Sequence, residues 1–499
     1  MPFRINVGFD AMYCIPHGEL VQTWFKNSRG MSPRPIIIAS ERAFGVPERD
    51  MDLMIYDDSG EDTKPAPGFE DINPDHRLFY HTLKDILTYT QGPALKVLTT
   101  RFIANFTKRM QATSSVSKEG WTEIPDLYVW FRDHMFCSIM EMLCGEYILS
   151  LNPDFINEFW TFDRDFMLHI RRTPKWLAPR AHRDRDKLLK SISRWQQNAL
   201  RHFDYNDEAL ASSDTDPYWG SQVFRARSIM HNNGRVSDVG RAALDLGFMW
   251  AANANVIPST FWAFWAIHLA GPNVISRIRA ETSPCFNLAT GELVDSPPLY
   301  DKPLLNSAYL ESLRYCATAV TTRKPVAPNQ KIGSWTIPDK DAMIIGMPWF
   351  AHHDTTFWNQ GSSTPSPEKY QHPVNSFWVE RFLQYPDDPS SGPIASTNPS
   401  TKTKTVPKTH KDDLKATLVT GPEIQGHFFP YGGGVRMCPG RFFAKQSSMA
   451  AIAVAMDEFE FEFGPEAAKA QPDMKVFLGG NLPPDIKIPG RVRRRVKDC

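Results

Sequence analysis

Cysteine is scarce in this chain of 499 residues: seven, at positions 14, 137, 144, 285, 316, 438 and 499, an odd number with no C-x-x-C pair. A disulfide framework and a zinc ribbon are therefore excluded. Excess charge of one sign is also missing, because 56 Lys and Arg balance 56 Asp and Glu. No field is available to hold a polyanion along an extended surface, so nucleic acid is not expected as a partner. The N-terminus, MPFRINVGFDAMYCIPHGEL, has neither the apolar core of a signal peptide nor an apolar run of about 18 residues that could anchor it in a bilayer. No internal repeat is visible.

What is present is an ordinary globular balance, 42% hydrophobic and 22% charged residues, enough to build a large core. Length alone suggests about three domains at roughly 150 residues each, but large single-core enzymes reach this size, and we expect a single domain over residues 1–499. The 32 Phe, 14 Trp, 14 Tyr and 18 Met suit a protein that encloses an apolar ligand, or simply an aromatic-rich core.

Strands are expected at Phe3 to Val7 and Met12 to Ile15 around a turn at Gly8-Phe9-Asp10, then a helix from Gly18 to Lys26. The stretch from Asp57 to Pro74 reads as loop. Apolar residues at three- and four-residue spacing predict helices over His76 to Thr90, Pro93 to Gln111, Leu127 to Leu149 and Asp184 to Phe203. From Leu246 to Ser276 no Asp, Glu, Lys or Arg occurs, a run long enough to span a bilayer. Three asparagines and Pro258 inside it favour instead a long helix through a soluble core, where neighbours or a ligand satisfy them. A helix follows Pro303, Ala342 to Met347 reads as a short strand, and a Pro-, Ser-, Thr- and Lys-rich stretch at about 385–411 as a mobile surface insertion. EFEFEFG, Glu458 to Gly464, alternates as a strand. Strands first, helices in the middle and strands last argue a mainly α, α+β fold.

The most informative stretch is HFFPYGGGVRMCPGRFFAK, His427 to Lys445. Glycines permit close backbone approach to something flat and bulky. Cys438 stands just before an expected helix, whose N-terminal amides favour a thiolate, with Arg436 nearby. A thiolate so presented is a sound axial ligand for haem iron. A lone Cys-Pro-Gly would more simply be a structural cysteine beside a turn.

Further motifs decide between these readings. Gly434, Arg436, Cys438 and Gly440 match F-x-x-G-x-R-x-C-x-G, with Tyr431 in place of the usual Phe; ESLR at Glu311 to Arg314 resembles an E-x-x-R helix; FWVERF at Phe377 to Phe382 resembles the coil whose arginine, here Arg381, joins that pair. In this order the motifs resemble the cytochrome P450 family, and PFRINV, AMYCIPH, IPDKDAMIIGMPWFAHHD and GNLPPDIKI extend the resemblance over nearly the whole chain, the last as a final hairpin. The resemblance implies haem b held by Cys438 between a long distal helix and a proximal Cys loop, amid small antiparallel sheets. It implies propionate contacts from Arg436 and Arg323, and a structural unit of Glu311, Arg314 and Arg381 beside the haem. Two guanidiniums around one carboxylate would pin helix to coil. No counterpart of the family's W-x-x-x-R is found between Val97 and Lys108. His352, His353 and His372 are read as structural rather than metal-binding, and Arg441 and Lys445 as candidates for docking an acidic reductase.

The chain departs from the family in the distal helix. Where A-G-x-[DE]-T usually supplies an acid and an alcohol for proton delivery, it has Ala251, Ala252, Asn253, Ala254 and Asn255, followed by Pro258. Proline has no N–H for the carbonyl of residue 254 and clashes with it, so the helix is expected to open at Ala254–Asn255. The pattern WAANANVIPSTFW resembles a branch containing prostacyclin synthase, cholesterol 7α-hydroxylase and sterol 12α-hydroxylase, which includes hydroxylases and an isomerase. The leading expectation is a monooxygenase oxidising a small apolar substrate, sterol-, terpenoid- or other secondary-metabolite-like, with O2 and electrons from an NADPH-cytochrome P450 reductase. The alternatives are an isomerase of a pre-oxidised, endoperoxide-like substrate, and a non-catalytic haem sensor or lipid carrier. Because the resemblance starts at the first strand, a truncated form of an enzyme of the endoplasmic reticulum membrane is expected, or otherwise a soluble cytoplasmic protein.

Overall fold

Helices form where the apolar periodicity is strongest and stop where a glycine or proline interrupts it. The structure, a computed structural model, describes residues 3–496 apart from 8–9, 288–289, 291, 295–296, 339–341, 362–370 and 396–412. The helix Leu127–Cys144 starts at Asp126, whose carboxylate accepts from the amides of Tyr128 and Val129. It ends short of the expected Leu149 because Gly145 takes φ 75°, and a Cβ there would meet the Pro217 carbonyl oxygen at 2.6 Å. Helices Gly92–Ala112 and Pro179–His202 extend the expected segments at their starts. Four further helices, Arg34–Phe44, Glu48–Ile55, Phe155–Ile170 and Gln222–Asn233, go beyond the sequence reading.

The uncharged run does not form one span. It is divided into a distal helix Asp238–Asn253, a continuing helix Val256–Leu269 and, after Gly271, a third beginning at Pro272. Among the described residues no helix is long and apolar enough to cross a membrane. Every residue from Val256 to Ile267 is buried, so this helix is covered all round. It packs against Pro303–Cys316 and Arg441–Glu458, and the latter packs against Gly92–Ala112. Phe261, Trp262, Phe264 and Trp265 belong to this core, their rings packed against Phe131, Tyr315, Phe377 and Phe461.

A five-stranded sheet runs in the order Phe3–Val7, Asp10–Ile15, Met343–Gly346, Thr321–Pro325 and Met31–Ser32. Most neighbours are antiparallel, as expected, but Met343–Gly346 runs parallel to Asp10–Ile15, pairing Met343 with Met12. The long helical stretch between these two strands acts as the crossover a parallel pair requires. At the far end Phe459–Phe463 pairs with Gly490–Arg494, burying Phe459 and Phe461 while Glu460 and Glu462 bond Arg493 and Arg491. GNLPPDIKI is not a regular hairpin; the isolated bridges Ala317 to Asn481 and Pro472 to Pro484 help tie it in place. The described part of the expected insertion, Tyr385 to Ala395, folds back on the body, with Tyr385 buried and its hydroxyl donating to Asp413 Oδ1 at 2.7 Å. Residues 396–411 of it, and the Gly8-Phe9 turn, lie outside the described residues.

Candidate active site

The Cys438 loop is positioned from below by a helix and from the side by the N-terminal segment. Helix Arg441–Glu458 begins three residues after the cysteine, with Gly440 at its N-cap, and the Cys438 amide donates to the Tyr431 carbonyl at 3.1 Å. Two of the glycines also admit the protein's own N-terminal segment. A Cβ on Gly433 would meet the Phe25 ring at 2.2 Å, and one on Gly434, which sits at φ 72°, would meet Ser28 Oγ at 2.1 Å; Ser28 Oγ accepts from the Val435 amide at 3.0 Å.

Among the described residues Cys438 carries the one exposed thiol; Cys14, Cys137, Cys144, Cys285 and Cys316 are buried. Surrounding protein nonetheless raises its pKa by desolvation, against the backbone amides of Gly440 and Arg441 and the Arg441 guanidinium, which lower it. Cys438 is thus exposed as a residue while neighbouring protein desolvates its thiol. The thiolate inferred from helix position alone is thus opposed by burial, and it is metal coordination that deprotonates such a thiol. Tyr431, where the family has Phe, hydrogen-bonds its hydroxyl to that of Tyr309 on the E-x-x-R helix. Both phenols feel the Cys438 charge.

Arg436 and Arg323 lie side by side. Arg323 is buried and donates to the Arg436 carbonyl at 2.9 Å, and burial together with the Arg436 charge lowers its pKa to about 10, opposed by Glu61. Arg436 pairs with Glu61 at 3.3 Å and Asp62 at 3.2 Å, acids from the loop after Asp57 that the motifs did not single out. Arg441 donates to the Cys438 carbonyl at 2.9 Å and lies over Phe442. Lys445 is half-buried, and desolvation lowers its pKa.

Glu311, Arg314 and Arg381 meet with no solvent exposure. Arg314 grips Glu311 through Nε and Nη2 at 2.7 and 2.9 Å, and Arg381 Nε donates to Glu311 Oε1 at 2.9 Å. Burial alone would raise the Glu311 carboxyl, but the two arginines outweigh it and hold it below its ordinary value. Excess positive charge is spread over carbonyls: Arg314 bonds His352 and Val374 at 2.9 and 2.8 Å, and Arg381 bonds Asn359. His352 accepts from the Phe429 amide at 3.1 Å, His353 stacks on Trp349 and His372 on Trp378. All three are structural in their contacts.

The distal helix opens at Ala254 and Asn255, between Asn253 and Val256. Pro258 offers Ala254 no N–H. Ala251 is exposed and Ala252 half-buried just before the break, on a helix whose residues Ala242 to Met249 are buried. Asn255 is held by the C-terminal loop: its main-chain carbonyl accepts from the Asn481 side-chain amide at 2.8 Å and its Oδ1 from the Asn481 amide at 2.9 Å. Gly480, at φ 135°, has to be glycine, because a Cβ would meet Asn255 Oδ1 at 2.3 Å. The Gly480 carbonyl accepts from both the Thr318 amide and hydroxyl, at 2.9 and 2.6 Å. Nothing in the hydrophobic pattern marks Gly480, Asn481 or Thr318; only the fold brings them to the break.

An accessible thiol within a desolvating shell, two adjacent guanidiniums and an open alanine face on the distal helix fit a thiolate-ligated haem. Cys438 would ligate the iron, and Arg436 and Arg323 would take the propionates. A family profile described as Cytochrome P450 matches residues 421–488, the stretch that carries these proximal groups. "Cytochrome P450 monooxygenase fsoE" of Humicola fuscoatra is 31% identical over 99% of this chain and 82% of its own length. "Cytochrome P450 monooxygenase efuG" of Hormonema carpetanum is 30% identical over 99% and 84%. "Cholesterol 7-alpha-monooxygenase" of Cricetulus griseus is 24% identical over 84% and 76%.

Proposed function

This chain belongs to the cytochrome P450 family, and on that premise we propose that it is a single-domain haem-thiolate monooxygenase hydroxylating a small apolar substrate of secondary-metabolite or sterol-like character. The observation that carries the reading is the accessible Cys438 sulfur, set apart from five buried cysteines and backed by the Gly440 and Arg441 amides. Haem, when bound, supplies the oxygen activation, with thiolate donation favouring O–O cleavage.

The chain's own residues supply the rest. Cys438 presents its sulfur from a loop clamped to Phe25 and Ser28. Arg436 and Arg323 would hold the carboxylates of the haem. Asn255 and the Ala254 carbonyl border the distal break, where they orient a water. An amide has donor hydrogens but a pKa too high to release one, so Asn255 positions a proton carrier and is not the acid itself. The buried Glu311, Arg314 and Arg381 unit keeps the proximal side rigid. Electrons come from an NADPH-cytochrome P450 reductase. Trp176 and Leu177, 80% and 63% exposed beside Lys175 and Arg180, would suit contact with a membrane surface.

The test is a spectrum of the reduced, CO-bound protein, then measurement of NADPH, oxygen and product with reductase, using substrates found by haem spin-state shift. A thiolate spectrum with reductase-dependent product is expected. Product formed at full rate without reductase or oxygen would replace the monooxygenase by a rearrangement, a reading favoured only by the lack of carboxylate and hydroxyl at positions 254 and 255. A thiolate spectrum with no turnover would point to a sensor.

A further inference from the structure

His17, Asp354 and His427 come together from three distant parts of the chain, and none of them takes part in the site described above. Their ligand atoms, one from each residue, all lie within 4.8 Å of one another. Asp354 Oδ2 stands 3.6 Å from His17 Nδ1 and 3.8 Å from His427 Nδ1. These distances exceed a hydrogen bond, but approach the roughly 3.4 Å between donors that share one tetrahedral ion through bonds of about 2.0–2.1 Å.

The three side chains are also aimed. Asp354 Oδ1 accepts from the Thr356 amide and hydroxyl at 2.9 and 2.6 Å, which turns Oδ2 toward the imidazoles. Such outer-shell bonds commonly orient a metal-binding carboxylate. The His427 ring stacks flat on Phe357, 3.7 Å between centroids at 4°, and its Nδ1 is buried without a hydrogen-bond partner. His17 and His427 are brought side by side, ring centroids 5.2 Å apart, by a backbone crossing in which the Gly18 amide donates to the Gly426 carbonyl at 2.9 Å. Both glycines have positive φ, and a Cβ on Gly426 would meet the Gly18 carbonyl oxygen at 2.3 Å, so the crossing depends on glycine. The His17 side chain is 39% exposed, which provides an entry path and room for a water as a further ligand.

We propose that His17, Asp354 and His427 form a binding site for zinc or a similar divalent transition ion. Two imidazoles and one carboxylate suit zinc, nickel or copper better than magnesium or calcium. A bound ion would clamp the N-terminal segment and the loop after helix Pro348–His352 to the start of the Cys438 loop.

Untagged holoprotein, dialysed against zinc chloride and in parallel against calcium chloride, then desalted, tests this by elemental analysis. The wild type should retain about one zinc per chain and no calcium, and zinc should raise its melting midpoint by binding the folded state alone. His17→Ala and Asp354→Asn should each weaken zinc binding by at least about tenfold, with the reduced CO spectrum unchanged; His17→Cys, which keeps a ligand, should retain the ion. Because His17 is exposed, its replacement leaves the packing intact and keeps the test valid even if Asp354→Asn folds poorly. A wild type that retains no zinc, or His17→Ala binding it as tightly as the wild type, overturns the proposal.

Discussion

Asn255, at the break in the distal helix, and Asn481, on the C-terminal loop, are joined by two hydrogen bonds, both donated by Asn481 and accepted by the main-chain and side-chain oxygens of Asn255. The helix break is thereby fixed to a loop that Thr318 and Trp262 hold in turn through the Gly480 and Leu482 carbonyls. Asn255→Leu removes one acceptor and the amide hydrogens that orient water. It should cost about 1 kcal/mol, the worth of a typical hydrogen bond, and uncouple turnover, so that NADPH is consumed and peroxide released with little product. Asn255→Thr keeps an oxygen and should keep substantial coupling. Product, NADPH and hydrogen peroxide measured together distinguish the three proteins.

Cys438→Ala should lose the thiolate-ligated haem spectrum. The other described cysteines are buried, so none can take over. A mutant that retains the spectrum would show the assignment to be wrong.

Removing one member of the Glu311, Arg314 and Arg381 unit leaves buried charge unmatched, a loss of about 3–5 kcal/mol. Glu311→Ala and Arg381→Ala should therefore fail to accumulate as holoprotein. In the wild type the depressed Glu311 carboxyl contributes stability that is present above the unfolded-state pKa of about 4.3 and lost as pH falls through the folded value. Acid titration of the melting midpoint checks the sign.

Tyr309 and Tyr431 satisfy each other's buried hydroxyls. Either single change to Phe leaves one hydroxyl unpaired, at about 1–3 kcal/mol, whereas Tyr309→Phe combined with Tyr431→Phe should restore most of the loss. A double-mutant cycle on the melting midpoint is the measurement; additive losses would refute the pairing.

Glu41 is buried against the distal helix, its Oε2 without a hydrogen-bond partner, and its pKa is raised to about 8 by burial, with Arg227 opposing and Asp245 adding. Between about pH 4.3 and 8 the folded state holds a proton that the unfolded chain has lost, so this group makes stability fall as pH rises. Glu41→Gln should leave the melting midpoint near pH 5 almost unchanged and raise it at pH 8.5, flattening the profile.

Much of this was legible because its cause is local. Pro258 cannot accept its place in an unbroken helix whatever surrounds it, and the break appears at Ala254–Asn255 as its chemistry dictates. The E-x-x-R spacing puts Glu311 and Arg314 one turn apart on any helix, so their pairing needs nothing else. Helix Phe155–Ile170 likewise follows from the spacing of Phe155, Phe159, Phe162 and Phe166, all buried on one face. Gln222–Asn233 is different: it buries Arg225, Arg227 and His231, a pattern that hides its apolar period. Those charges are tolerated only because Asp216 and Asp245 arrive from elsewhere.

The sequence by itself determined the helix break and the Glu311–Arg314 pairing, since each rests on residues within about one turn of chain, while the class of chemistry followed from the ordered motifs between Glu311 and Lys445. Tertiary structure alone decided why Gly433 and Gly434 are glycines, which partner holds Asn255, how Tyr431 satisfies its hydroxyl, and that His17, Asp354 and His427 meet. The reason is that these contacts join residues far apart along the chain. Their free energy exists only once the helices and the five-stranded sheet have closed those separations, and no local pattern records which distant group will fill the space beside a given atom.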